Sequence, residues 1–143
     1  MPASTQEKVA QLARVQLFGG VSRPALERIA ELVGEIDFSA GDYIVRQGQL
    51  GNGLYIILSG TARVVRSGED LARLGPGDSF GELAVIDRSP RMANVIADEP
   101  VTCFGLASWD LLPLLEKEPI IAVNMLRELS SRVRSLAGMH HRH

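Results

Sequence analysis

Residues 1 to 139 contain no histidine; the three in the chain, His140, His141 and His143, stand together at its end. A non-haem metal oxygenase needs two or three histidines and an acid converging on one cation, so a metal-dependent enzyme of the cupin kind is excluded from the folded region. Hydrolysis through an activated serine or cysteine fails for want of an imidazole base. The terminal histidines read as a frayed tail and not as a metal site. Cysteine is nearly absent too. Cys103 alone can form neither an internal disulfide nor an iron-sulfur ligand set, and within the alternating run Val101 to Leu106 it reads as a small core hydrophobe. A haem or redox sensor would lack both its axial histidine and its cysteine cluster.

Long apolar runs are missing: Leu54 to Leu58 is short and bounded by glycine, far from the roughly 20 residues of a membrane span. The first eight residues hold no apolar segment of a secretory signal. The expectation is a cytoplasmic protein with no membrane insertion in this chain. A basic excess is missing as well, with a formal charge of -2 and a pI near 5.9, so no electrostatic case exists for direct contact with nucleic acid. Thirteen of the fifteen basic residues are arginine, which points to a GC-rich bacterial source.

What is present fits one compact unit. A chain of 143 residues lies near the usual size of a single domain and can bury one core. Ser4 and Glu7 form a capping-box pattern ahead of Val9, Leu12 and Ala13, predicting a short helix over 4 to 15. A second helix is predicted from Ser22, with Pro24 in its first turn, to a close at Gly34. From 35 to 107 the period changes to two. Runs near 35–39, 42–46, 53–58, 61–66, 70–74, 92–98 and 100–107 are separated by Gly, Pro, Asp and Ser, predicting an antiparallel β-barrel or jelly roll. The fold class is thus mainly β with flanking helices. Ser108 and Asp110 are expected to cap one C-terminal helix, and Pro119 to begin a longer one. Its stripe Ala122, Leu126, Leu129, Val133 and Leu136 suits either packing on the barrel or a homodimer seam. The expected division is N-terminal helices 1–34, barrel 35–107, C-terminal helices 108–137 and tail 138–143.

One stretch carries the chemistry. Phe80, Gly81, Glu82, Leu83 and Ala84 are followed by Pro90, Arg91, Met92 and Ala93. Gly81 lets backbone approach a ligand, and the N–H groups of Leu83 and Ala84 would open a helical turn whose positive end favours an anion. Arg91 adds a planar fork of donors for two phosphate oxygens, while Glu82 as an acceptor suits sugar hydroxyls. These residues are the parts needed to hold a sugar-phosphate, and binding without chemistry is the expected role.

That constellation resembles the phosphate-binding cassette of the cyclic nucleotide-binding domains of cAMP-dependent kinase regulatory subunits, cyclic-nucleotide-gated channels and Crp-type bacterial regulators. Upstream, the same family pattern is met at Phe38 to Gly48, at Leu54 to Gly60 and at Leu74 to Asp78. The resemblance implies that Glu82 binds the ribose 2′-hydroxyl, that Arg91 binds the exocyclic phosphate oxygens, and that amides near Leu83, Ala84 and Met92 complete the site. It implies a C-terminal helix that closes over the base or pairs with its mate, or with an effector, when ligand binds. Three departures matter. A hydroxyl residue that reads guanine often follows the cassette arginine, and here Met92 stands there, which favours cAMP over cGMP. The Thr-Ser pair that Crp-type regulators set against adenine aligns with Leu136 and Ala137. No room is left after Leu136 for a helix-turn-helix, so direct DNA binding is not expected. The chain reads either as a free-standing sensor or as the ligand-binding fragment of a transcription regulator, a channel or a kinase-like protein.

Overall fold

The computed structural model describes residues 4–51, 53–81, 90–136 and 138. Helix α1 (Thr5–Leu12) begins at the predicted capping box: Ser4 Oγ accepts from Glu7 N–H at 3.2 Å and Glu7 Oε1 accepts from Ser4 N–H at 3.3 Å. A 3-10 turn (Gln16–Phe18) follows, then α2 (Arg23–Leu32), capped by the Ser22 hydroxyl and with Pro24 in its first turn. Pro24 costs nothing there because a first-turn N–H has no partner within a helix. Gly34 does not close α2: Val33 is already extended and Gly34 opens the first strand.

Eight strands come next among the described residues: β1 (Gly34–Phe38), β2 (Tyr43–Val45), β3 (Gly53–Ser59), β4 (Ala62–Arg66), β5 (Glu69–Leu74), β6 (Ser79–Phe80), β7 (Asn94–Ala97) and β8 (Val101–Ala107). They form two four-stranded antiparallel sheets, ordered β1-β8-β3-β6 and β2-β7-β4-β5. Strand β8 is central in the first. Its register sets Phe104 opposite Glu35 on one side and Ile56 on the other. Two helices follow among the described residues, α3 (Ser108–Lys117) and α4 (Pro119–Leu136). The residue before α3 is Ala107, which offers no capping side chain, so the expected cap at Ser108 falls one position inside the helix.

Both faces of β3 and β8 are covered, which explains why they read as nearly continuous apolar runs. Leu54, Ile56, Phe104 and Leu106 join the helices in one core with Leu12, Phe18, Ile29, Leu111 and Ile121. Ile57, Val101 and Cys103 turn the other way and meet Ile44, Ala62, Val95 and Ala97 of the second sheet. Cys103 is therefore the core residue expected of it. Burial pushes its thiol up to about 12, which keeps it protonated and unreactive near neutral pH.

Only part of the predicted α4 stripe packs, because the buried side of the helix is centred on other residues. Ile121 and Met125 are buried, and the Asn124 side chain donates to the carbonyls of Leu17 and Gly19 at 2.9 and 2.8 Å. Those two bonds fix the helix rotation against the 3-10 turn. Leu126 and Val133 of the predicted seam consequently face outward, 66% and 64% exposed, while Leu129 packs at the edge of the core. No described helix is long and apolar enough to cross a membrane.

Candidate functional site

Between the second sheet, the end of β6 and the inner side of α4 lies a cavity of about 320 Å³. Its walls are apolar: Val45 of β2, Val64 of β4, Leu71, Ala72 and Leu74 of β5, Phe80 of β6 and Val95 of β7. Phe80 is held by cross-strand pairing with Tyr55, whose ring stacks on it at 5.4 Å. Offset aromatic pairs of this kind contribute about 1 kcal/mol beyond area burial and fix the ring's direction.

Arg91, a charged residue only 7% exposed, also lines the cavity. A buried charge is costly unless hydrogen-bonded. Here the two terminal nitrogens of the guanidinium donate to Gly81 O at 2.9 Å and to Gly53 O at 2.8 Å. The Arg91 backbone is fixed separately: its N–H donates to Gln49 O, and its carbonyl accepts from Gly48 N–H, both at 2.8 Å. The main chain is thus anchored to the segment before β3, and the side chain to the first residue of β3 and to the turn after β6. Gly81 has a φ of 97°, a conformation that an L side chain rarely adopts, so the turn after β6 requires glycine.

Five residues expected from the sequence, Phe80, Gly81, Arg91, Met92 and Ala93, line this one cavity. Glu82, Leu83 and Ala84, and with them the expected cassette helix, lie outside the described residues. From α4 the lining residues are Arg132 and Ser135, while Ala137, expected over the base, lies outside the described residues. Arg132 donates to Ser79 O at 3.1 Å and pairs with Glu128 at 3.9 Å. It ties α4 to β6 directly beside the cavity. The apolar wall and these two helix residues were not singled out from the sequence. Val64, Leu71 and Val95 lie in runs that the sequence marked as strands; Arg132 and Ser135 carried no signal, because the rotation of α4 is set by Asn124.

A model of the cyclic nucleotide-binding domain family matches residues 35–118. The chain is 31% identical over 128 residues to a CRP-like cAMP-activated global transcriptional regulator of Mycobacterium tuberculosis, covering 86% of this chain and 57% of that protein. Among solved structures, the Thermus thermophilus catabolite activator protein aligns with a TM-score of 0.78 and 31% identity, covering 85% of this chain and 60% of that one. The regulatory domain of Toxoplasma gondii PKA with cAMP aligns with a TM-score of 0.80 and 28% identity, covering 90% and 50%. The chain spans about half the length of the curated relatives it matches. With the matched region running from β1 to the end of α3, past the Arg91 cavity, the chain belongs to the cyclic nucleotide-binding domain family.

Proposed function

We propose that this chain is a non-catalytic sensor module that binds cAMP in the Arg91 cavity and passes occupancy to α4. The observation that carries the reading is a buried guanidinium, anchored on two carbonyls, in a cavity walled by apolar side chains of the strands. The ring phosphate of a cyclic nucleotide carries one negative charge that suits the guanidinium, and the flat faces of its base suit the apolar walls. Glu82 is assigned the ribose hydroxyl, and the amides of Leu83, Ala84 and Met92 the other phosphate contacts. The names of the regulator and of the kinase domain reported above, one cAMP-activated and one with cAMP, support the ligand class.

Selection of adenine over guanine is assigned to the absence of a hydroxyl after Arg91, where Met92 offers only a weak sulfur acceptor. Ser135 and Arg132 are the polar groups that α4 brings to the cavity. A ligand can move α4 only through unequal affinity for its two positions, and a group seated against Arg132 and Ser135 supplies that inequality.

Calorimetric titration with cAMP, cGMP and 5′-AMP tests the assignment. Saturable cAMP binding is expected, with cGMP weaker and the linear nucleotide roughly tenfold weaker or more. Hydrogen exchange across residues 119–136 should change in the same samples. No heat with cAMP, or equal affinity for 5′-AMP, would overturn the reading.

A second copy docking on Leu126 and Val133 of α4 is the homodimer proposed with this function, since both face outward on the helix that meets the cavity. Sedimentation should show a dimer for the wild type and a monomer for Leu126→Glu. Monomers in both would count instead for an effector as the partner. The length relation to the curated relatives supports a second reading, in which this module is the sensor part of a longer regulator.

A further inference from the structure

Arg91 needs space as well as partners, and that space is left by a second glycine. A Cβ built on Gly51 would overlap the Cζ, Nε and Nη2 atoms of Arg91, which are its three nearest neighbours. On Gly81 it would run into Nη1 of the same guanidinium. The two glycines therefore bracket the planar group on separate segments of chain. They differ in why they are glycine. Gly81 has a positive φ, so any side chain there is strained whatever the space. Gly51 is not among the glycines of positive φ, so its backbone does not by itself call for glycine. The three atoms nearest to an added Cβ all belong to the Arg91 side chain.

We propose that Gly51 is a positioning residue for anion binding: with Gly81 it forms the slot that aims the Arg91 guanidinium into the cavity. The inference rests on the function proposed above for its ligand, but not for its geometry. The Arg91 main chain is pinned to Gly48 and Gln49 at 2.8 Å, so a methyl group at position 51 cannot be relieved by sliding the segment as a whole. The guanidinium is the mobile end of a flexible side chain. It yields, leaving the carbonyls of Gly53 and Gly81 and the place where a phosphate would be met.

Two measurements test this, one of which needs no ligand. In thermal unfolding, Gly51→Ala should lower the Tm of the wild-type chain and have little effect in an Arg91→Ala background, where the obstruction is gone. An equal loss in both backgrounds would overturn the slot. In calorimetry, Gly51→Ala should weaken cAMP binding roughly tenfold or more, with far-ultraviolet circular dichroism unchanged. Affinity within about twofold of wild type would likewise overturn it. Should the wild-type chain itself take up no cAMP, the ligand reading fails, and the unfolding cycle alone decides whether Gly51 sets the guanidinium.

Discussion

Replacing Arg91 by alanine is expected to lower cAMP affinity by roughly 30-fold to several-thousand-fold, the range for removing one member of a desolvated charge pair. The side chain is buried, and it holds a full positive charge against walls of valine, leucine and phenylalanine. Without it the ligand's phosphate would be taken out of water with only amides to meet it. The fold should survive. Arg91 lies outside the apolar core clusters, and its loss leaves the Gly53 and Gly81 carbonyls at a cavity that water can enter. Arg91→Lys should bind nearly as poorly, because a lysine ammonium cannot reproduce a planar fork that spans two carbonyls and still faces a phosphate. Calorimetry on the two variants checks both statements, and unchanged affinity in either would sink the assignment.

Phe104→Ala is expected to be the most damaging single change to stability. Phe104 has no exposed surface, lies on the central strand β8, and packs in the core shared by the first sheet and the helices. Truncating a buried phenylalanine costs about 3–5 kcal/mol in lost transfer energy and residual cavity. Against the 5–15 kcal/mol typical of whole domains, that is a large share. At about 3–4 °C per kcal/mol for a domain of this size, the midpoint should fall by roughly 10–20 °C. Glu27→Ala on the exposed side of α2 is the control and should stay within about 0.5 kcal/mol. A Phe104→Ala midpoint within a few degrees of wild type would show that this core is not where stability resides.

The parts legible in the sequence were those governed by local rules. The Ser4 and Glu7 capping box, the proline at the start of α2 and the period of two in most strands each follow from the residue and its neighbours alone. Strand β6 was missed because Ser79 and Phe80 are too few to show a period; pairing with Tyr55 and Ile56 makes them a strand. The rotation of α4 was open for a different reason. Ile120, Ile121, Val123, Met125 and Leu126 are all apolar, so two stripes compete, and two long-range bonds from Asn124 choose between them. That Arg91 would share a cavity with Phe80 and Gly81 was legible because Pro90 to Ala93 follows Phe80 to Ala84 in the pattern of the family's cassette. Gly51 was not, since its value lies in the volume that it leaves empty and not in its backbone angle.

Helix α4 turns Arg132 and Ser135 toward the cavity and Leu126 and Val133 toward the outside. If a second copy seats itself on the outer side, as proposed above, and rolling the helix re-aims its inner one, the copy and the ligand alter each other's equilibrium by the same factor, so that an apparent affinity measured in dilute solution need not hold at high protein concentration.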